Sequence, residues 1–199
     1  MTKSPPKLII FAGANGAGKT TVATLLLPKL RIKEFVNADE IARGLSPLNP
    51  AGQAMFAGRL VLKRIREIMQ KRESFAIETT LAGHALLKNI KRAREAGYKI
   101  EMYYIFSADI NVNIGRVKNR VKQGKHDVPV SDIRRRYWRS LKNWLSPYKN
   151  FCDIMHIYDT TAGEPEEIAF WENGEPMVRY NEALCERFAA KVIEARDEH

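Results

Sequence analysis

The sequence is poor in cysteine and has no long apolar run. Two cysteines, Cys152 and Cys185, occur in 199 residues; they are too few for a disulfide framework and are typical of a reducing compartment. The apolar run near the N-terminus, residues 8–12, is far shorter than the roughly 20 residues that span a bilayer. It also lacks the apolar stretch of a secretory signal. We therefore expect a soluble, cytoplasmic protein with no membrane partner.

Internal repeats, low-complexity tracts and Gly/Ser-rich linkers are also missing from the sequence. With 199 residues, of which 45% are hydrophobic, the chain can bury a core, and wholesale disorder is excluded. Because one domain takes roughly 100–200 residues, we predict a single domain over residues 1–199 with a lid embedded at about 116–145.

Charge is unevenly distributed along the chain, whose formal net charge is +10. Residues 116–149 contain eleven lysines or arginines and only two acids, Asp127 and Asp132. In residues 159–199 the balance is reversed, with eleven acids and four lysines or arginines. A concentrated positive field attracts the phosphates of a nucleotide, a nucleotide-sugar or a nucleic acid. The alternative is a solvated helix face.

Short apolar runs alternate with stretches of helical periodicity. The runs at 7–12, 35–36, 74–79, 99–106 and 154–158 predict strands. The stretches at 19–30, from about 40, and at 51–72, 84–96, 109–123 and 131–145 predict helices. This alternation predicts an α/β fold, a parallel five-stranded core sheet with helices on both faces.

The C-terminal part, at about residues 164–199, predicts a different arrangement. A hairpin is expected from 168–172 and 176–179 around Asn173-Gly174, a dipeptide suited to a tight turn. A final helix is expected at 181–196. The hairpin and helix either cap the sheet edge or form a partner surface.

One motif indicates the class of protein. Residues 13–20, GANGAGKT, fit the phosphate-loop pattern and lie between a predicted strand and a predicted helix. Small residues let main-chain N–H groups turn toward phosphate oxygens, and the helix N-terminus adds its positive dipole. We expect Lys19 to reach the β- and γ-phosphates and Thr20 to hold Mg²⁺. The predicted nucleotide-binding residues are Gly13, Ala14, Asn15, Gly16, Ala17, Gly18, Lys19, Thr20, Thr21 and Arg116.

Two predicted strands end in acids. Asp39 follows the second strand and Glu78 lies at the end of the third. Ligands of an open parallel sheet bind beyond the carboxyl ends of its strands, so both acids should face the phosphates. One could accept a proton from a substrate hydroxyl and the other could hold a magnesium-bound water. The alternatives are that Asp39 caps a helix and that Glu78 pairs with an arginine.

The basic segment supplies arginines for a lid. Arg116 and Arg120 are one helical turn apart, and three consecutive arginines, 134–136, open the helix after a loop at 124–129. Planar guanidinium groups suit the charge that spreads over a transferring phosphoryl group, and a closed lid excludes water. We expect two of these five arginines to be catalytic.

These segments together resemble the zeta-toxin family of P-loop kinases, in its short chromosomal form. The segments that carry the resemblance are GANGAGKTT (13–21), FVNADEIARGLSP (35–47), FAIETTLAG (75–83), GRVKNRVKQGKHDVP (115–129) and SDIRRRYWRSLKNW (131–144). A strand that ends in Tyr158-Asp159 follows them. The resemblance implies an adenylate-kinase-like core that uses Mg²⁺ and ATP or GTP. Family members that phosphorylate UDP-N-acetylglucosamine imply a nucleotide-sugar acceptor, with a cognate antitoxin as a protein partner.

The resemblance also implies roles for particular residues. Lys19 would be the phosphate-loop lysine and Asp39 the general base toward the sugar hydroxyl. Glu78 would contact substrate and, with Thr20, magnesium, while Thr80 would line the substrate side. The lid arginines would be Arg120 and one of the pair 134–135; Arg134 is assigned to catalysis and Arg135 to substrate binding.

We therefore expect a kinase that transfers the γ-phosphate of ATP or GTP to a hydroxyl of a small phosphorylated metabolite, such as a UDP-activated amino sugar. Two alternatives stay open. A polynucleotide-end kinase would explain the net charge of +10, although nucleic acid is the less favoured partner. A nucleotide-binding interaction module would use the phosphate loop without transferring phosphate.

Overall fold

The computed structural model describes residues 4–123, 127–173, 175 and 177–197. Residues 124–126 of the predicted lid loop, Gly174 of the predicted hairpin turn and Pro176, the first residue of the predicted second hairpin strand, lie outside the described residues. Five parallel strands form the central sheet: β1 (Lys7–Ala12), β2 (Glu34–Val36), β3 (Phe75–Thr79), β4 (Lys99–Phe106) and β5 (Ile154–Asp159). Their order is β2-β3-β1-β4-β5, so the predicted parallel five-stranded core is confirmed.

The C-terminal strands extend this sheet. β6 (Glu166–Glu172) pairs antiparallel with β5, and β7 (Val178–Arg179) pairs antiparallel with β6, which gives a seven-stranded sheet. β6 begins two residues before the predicted strand because Glu166 and Glu167 pair with Asp159 and Tyr158 across an irregularity in the register. The hairpin strands are therefore part of the main sheet.

Helices cover both faces of the sheet, as predicted. They are α1 (Lys19–Leu30), α2 (Ala38–Leu45), α3 (Ala54–Gln70), α4 (Leu87–Glu95), α5 (Ile110–Lys122), α6 (Val130–Leu145) and α7 (Glu182–Asp197). α1 packs on the face that carries Ile9, Phe11 and Ile105. α3, α4, α6 and α7 pack on the face that carries Leu8 and Ile10.

Strand β1 lies at the centre of the core. Its residues from Leu8 to Ala12 are at most 1% exposed, because helices cover both faces of the sheet. This double burial explains the continuous apolar run in the sequence. Within the described ranges, no helix combines the length and the apolar character needed to cross a membrane.

The parallel register brings the predicted site residues to one edge. Ala12 pairs with Thr79, Val36 with Ile77, and Phe106 with Asp159. The phosphate loop, the start of α2, the end of β3 and the loop after β5 therefore all begin at the carboxyl edge of the sheet.

A buried charge network crosses the sheet away from this edge. The Glu101 carboxylate lies 3.1 Å from Lys7 Nζ, accepts a hydrogen bond from Tyr103 and lies 3.6 Å from His156 Nε2. His156 Nδ1 lies 2.6 Å from Glu167 Oε1. Burial opposes ionisation of Glu101, but the contact with His156 and the hydrogen bonds from Tyr103 and Lys7 outweigh it and lower its pKa to about 2. Burial likewise opposes the charged form of His156, but the nearby Glu101 and Glu167 carboxylates, the second of them in hydrogen-bond contact, outweigh burial and raise its pKa.

The raised pKa of His156 predicts a pH dependence of stability. A group whose pKa is raised by folding contributes stability that is complete below its unfolded pKa of about 6.5 and is lost as the pH rises through its folded pKa. We therefore expect the free energy of unfolding of the wild type, relative to His156→Gln, to fall as the pH rises above about 6.5. Urea unfolding of both proteins between about pH 5.5 and 9 measures this difference. A difference that does not change with pH contradicts the charged network.

Candidate active site

The phosphate loop packs so closely against its neighbours that two positions accept only glycine. Gly16 has a φ of +77°, and a β-carbon there would lie 2.3 Å from the carbonyl oxygen of Asn113 on α5. A β-carbon on Gly13 would lie 2.1 Å from the carbonyl oxygen of Ile105 on β4. The glycines of the motif therefore let the loop main chain approach both elements.

Side chains from outside the loop donate hydrogen bonds to its carbonyl oxygens. Asn113 Nδ2 donates to the Asn15 carbonyl at 2.9 Å, and the Arg116 guanidinium donates to the Gly16 carbonyl at 3.4 Å. The Thr160 hydroxyl lies 2.9 Å from the Ala17 carbonyl and accepts from Arg116 at 3.0 Å. Among the described residues, the main-chain N–H groups of Asn15, Gly16 and Gly18 have no hydrogen-bond partner, which leaves them available to phosphate oxygens.

Lys19 lies where the predicted acids and arginines converge. Its side chain is 7% exposed, donates to the Ala14 carbonyl at 3.0 Å and lies 3.8 Å from Glu78. Burial lowers the pKa of Lys19; the charges of Glu78 and Asp39 oppose this shift, and those of Arg120 and Arg136 add to it. Lys19 therefore interacts electrostatically with both strand-end acids, with Arg120 of α5 and with Arg136 of α6.

Glu78 and Thr20 place a carboxylate and a hydroxyl group next to each other beside the loop. Thr20 Oγ1 donates to Glu78 Oε2 at 2.9 Å, and Asn37 Nδ2 donates to the same oxygen at 3.0 Å. These bonds fix the carboxylate next to Lys19. A carboxylate and a hydroxyl at this distance fit Mg²⁺, which binds through one or two protein oxygens together with water and substrate phosphates.

Asn37, and not Asp39, caps α2, so the helix-cap alternative for Asp39 is wrong. Asn37 Oδ1 accepts hydrogen bonds from the N–H groups of Asp39 at 2.9 Å and Glu40 at 3.4 Å, so Asn37 caps α2. Asp39 instead lines a pocket of about 90 Å³ together with Asn15 and Arg120. The other walls of this pocket are Arg43 of α2 and small apolar side chains from α2, α3, α5, residues 50–51 and Val128.

The arginines of the basic segment separate into two groups. Arg120 lines both the Asp39 pocket and a cleft of about 600 Å³ along the phosphate loop, where Arg116 also lies. Arg136 reaches the loop, because its guanidinium donates to Asn15 Oδ1 at 3.2 Å. Arg134 and Arg135 line a different cleft along α6. The catalytic role expected of Arg134 stays a prediction, and the structure does not bring it to the phosphate loop.

The remaining predicted residues divide in the same way. The residues of the loop cleft include Gly16, Gly18, Lys19, Thr20, Thr21, Glu78, Arg116 and Arg120. Ala14 and Ala17, which belong to the loop, are buried. Thr80 is half-buried just beyond β3, where its hydroxyl accepts from the Ala82 N–H at 3.5 Å, and its substrate-binding role stays a prediction.

Sequence reasoning included Arg136 among five candidate arginines without assigning it a role of its own, and it missed Asn113 and Thr160. A signal for Arg136 exists, because it adjoins the buried stripe of α6 that contains Ile133 and Tyr137. Asn113 is a polar residue in the buried stripe of α5. Thr160 follows β5, and no pattern in the sequence around it indicates its contact with the loop.

The fold and the site define a class of protein. A phosphate loop after the central strand of a parallel sheet ordered β2-β3-β1-β4-β5, with a lysine, a hydroxyl and strand-end acids around it, is the arrangement of a P-loop nucleotide-binding protein with the kinase fold. The sequence model of one family, Zeta toxin, matches residues 1–160. The chain belongs to this family, so the resemblance seen in the sequence is confirmed.

Relatives and solved structures agree with this family. An uncharacterized protein of Haemophilus influenzae is 30% identical over 131 residues, which are 66% of this chain and 92% of that protein. The AvrRxo1-ORF1:AvrRxo1-ORF2 structure with sulphate ions has a TM-score of 0.74 at 19% identity and covers 94% of this chain. This chain covers only 64% of the matched AvrRxo1 chain.

The structure of the PezAT chromosomal toxin-antitoxin system of Streptococcus pneumoniae has a TM-score of 0.67 at 14% identity. The match covers 100% of this chain and 90% of the PezAT chain. At these identities the two solved structures establish a shared fold.

The contact between Gly16 and Asn113 predicts the effect of one methyl group. Gly16→Ala must displace the loop or α5, because its β-carbon would lie 2.3 Å from a main-chain oxygen. ATP at about 100 times its dissociation constant stabilises a protein by about 2.7 kcal/mol. We expect Gly16→Ala to lose most of this stabilisation, measured as the shift in thermal unfolding on addition of Mg²⁺ and ATP.

Gly58→Ala is the matched control, since a β-carbon at Gly58 in α3 meets nothing within 4 Å. We expect this variant to keep the ATP-induced shift and to gain about 0.5–1 kcal/mol of stability from its helix. An equal ATP response in both variants would show that the packing of Gly16 does not shape the phosphate site.

Proposed function

We propose that the protein is a Mg²⁺-dependent phosphotransferase that moves the γ-phosphate of ATP or GTP to a hydroxyl of a small phosphorylated metabolite. The observation that carries this proposal is the separation of the two acids around Lys19. Glu78 is held beside Thr20, whereas Asp39 lies in its own pocket with Arg120. A protein that only binds a nucleotide needs no carboxylate in a second pocket. A phosphotransferase does need one, because the incoming hydroxyl must lose its proton to an acceptor.

The phosphate loop and Lys19 bind and orient the triphosphate. The N–H groups of Asn15, Gly16 and Gly18 donate to phosphate oxygens, and Lys19 exchanges the Ala14 carbonyl for the β- and γ-phosphates. Thr20 and Glu78 would hold Mg²⁺, which neutralises charge on the β- and γ-phosphate oxygens when it is bound.

Asp39 takes the proton of the acceptor. As the acceptor oxygen bonds to the γ-phosphorus, the bond from that phosphorus to the bridging oxygen breaks, ADP or GDP leaves, and the hydroxyl proton passes to the Asp39 carboxylate. Arg120 lies at the junction of the Asp39 pocket and the loop cleft, and Arg136 reaches the loop from α6. Their guanidinium groups stabilise the charge that spreads over the transferring phosphoryl group.

The proposed acceptor is a UDP-activated amino sugar such as UDP-N-acetylglucosamine. Membership of the Zeta toxin family supports this choice. In this proposal the reacting hydroxyl of the acceptor enters the Asp39 pocket.

A protein partner and a cellular location belong to the same proposal. The similar Streptococcus pneumoniae structure is a toxin-antitoxin system, which supports an antitoxin-like partner for this chain. The free cysteines, Cys152 and Cys185, are both buried, and burial raises the pKa of Cys152 to about 12. Free thiols of this kind support a cytoplasmic location.

Phosphate transfer from γ-labelled ATP to a panel of nucleotide-sugars tests the proposal. We expect a labelled sugar product with the wild type. In Asp39→Asn, kcat should fall by about 10²- to 10⁴-fold, because the general base is lost, while ATP affinity stays within about 2-fold. The control Glu67→Gln, which removes a carboxylate from the outer part of α3, should leave kcat unchanged.

Other results of this assay assign other functions. If Asp39→Asn turns over like the wild type, the base assignment is wrong. If ATP binds but no acceptor is labelled, and Lys19→Ala alone abolishes activity in cells, the chain is a nucleotide-binding interaction module. A polynucleotide-end kinase is the second candidate, favoured by the net charge of +10; labelling of oligonucleotides without labelling of sugars would establish it.

A further inference from the structure

Two cavities meet at the carboxyl edge of the sheet, and Arg43 of α2 belongs to both. One is the Asp39 pocket of about 90 Å³, and the other is the cleft of about 600 Å³ along the phosphate loop. Among the residues that the structure describes, two line both cavities, Arg43 and Arg120. We call the boundary between the cavities the junction. Two guanidinium groups therefore border the junction.

The geometry of α2 accounts for the position of Arg43. This helix begins at Ala38, directly after its cap Asn37. Asp39 and Arg43 are four residues apart, so their side chains lie one turn apart on the same face of the helix. Arg120 belongs to α5, so two different helices supply the guanidinium groups of the junction.

Arg43 has a partner that it can exchange for a phosphate. In the described part of the chain, its one ion pair is with Glu40, three residues earlier on α2, at 3.2 Å. The Arg43 side chain is 40% exposed and the Glu40 side chain is 55% exposed. Solvent screens a pair of this kind and makes it weak. A phosphoryl group carries more negative charge than a carboxylate and can replace it on the guanidinium.

The transfer step brings negative charge to the junction. In the proposed reaction, the acceptor oxygen bonds to the γ-phosphorus while the bond from that phosphorus to the bridging oxygen of the nucleotide breaks, and the hydroxyl proton passes to Asp39. The γ-phosphoryl group therefore crosses from the loop cleft toward the Asp39 pocket. Planar guanidinium groups that keep their charge suit its oxygens.

We propose that Arg43 is a further catalytic residue, which leaves Glu40 when the nucleotide binds and contacts the transferring γ-phosphoryl group together with Arg120. A residue that bound only the acceptor would line the Asp39 pocket alone, whereas Arg43 also lines the loop cleft. This inference rests on the proposed function, because it concerns the transfer step. It adds to that step an arginine from outside the basic segment 116–149.

The kinetics of Arg43→Ala test the inference, with γ-labelled ATP and the acceptor that the wild type labels. We expect kcat to fall by at least about 10²-fold, because a group that stabilises charge in the transition state is lost. The dissociation constant of ATP and the KM of the acceptor should stay within about 2-fold. Arg43→Lys keeps the charge without the planar fork and should recover part of the loss. Guanidinium ions, added below the concentration that unfolds the protein, should also raise the kcat of Arg43→Ala.

Two further variants separate phosphate contact from other effects. Arg59→Ala removes the same charge from an exposed position of the neighbouring helix α3 and should leave kcat within about 2-fold. Glu40→Gln breaks the same ion pair but keeps Arg43. We expect its kcat to stay at least about 10-fold above that of Arg43→Ala, because the group that contacts the phosphate is still present. Thermal unfolding of each variant checks that it is folded.

The outcomes distinguish this inference from the proposed function. If the wild type labels no acceptor, the proposed function is refuted and the inference with it. If the wild type and Arg43→Ala label the acceptor at equal rates, the inference is overturned and the kinase is retained. If Arg43→Ala keeps kcat but raises the KM of the acceptor, Arg43 only binds the acceptor, which also overturns the inference. Equal losses of kcat in Glu40→Gln and Arg43→Ala overturn it as well, because they assign the ion pair to the structure of α2.

Discussion

The close approach of the phosphate loop to α5 is the constraint on which the rest of the site depends. Gly16 lies against the Asn113 main chain so tightly that a β-carbon would be 2.3 Å from its oxygen. Asn113 and Arg116 of the same helix bind the loop carbonyls. The conformation of the phosphate loop and the position of α5 therefore depend on each other. Arg120 lies one turn beyond Arg116 on α5, so the contact with the loop also determines where Arg120 lies.

The electrostatics of the site depend on Lys19 being buried among charges of both signs. Burial lowers its pKa, and the two acids that oppose this shift are the ones to which the mechanism gives different tasks. Glu78 is held by hydrogen bonds from Thr20 and Asn37, whereas Asp39 lies in a separate pocket. Asn37 creates this difference, because it caps α2 in place of Asp39 and also binds Glu78. One asparagine thus frees one carboxylate and fixes the other.

The parts of the fold that depend on local pattern could be predicted from the sequence. The doubly buried strand β1, the glycine-rich loop and the helix that follows it each have a local signature, and they appear at the predicted positions. Contacts between distant segments could not be predicted in this way. Which of three consecutive arginines faces the loop depends on the rotation of α6, and the pairing of β6 with β5 depends on a register irregularity. The role of Thr160 depends on a contact with a loop 143 residues away.

Calorimetric titration with ATP or GTP in the presence of Mg²⁺ tests most directly whether the loop around Gly16 binds a triphosphate. The account predicts saturable binding to one site in the wild type, and a loss of at least about 10-fold in affinity for Lys19→Ala, because the lysine contacts the β- and γ-phosphates. An absence of binding for both nucleotides, or equal affinity in Lys19→Ala and the wild type, would contradict the central claim.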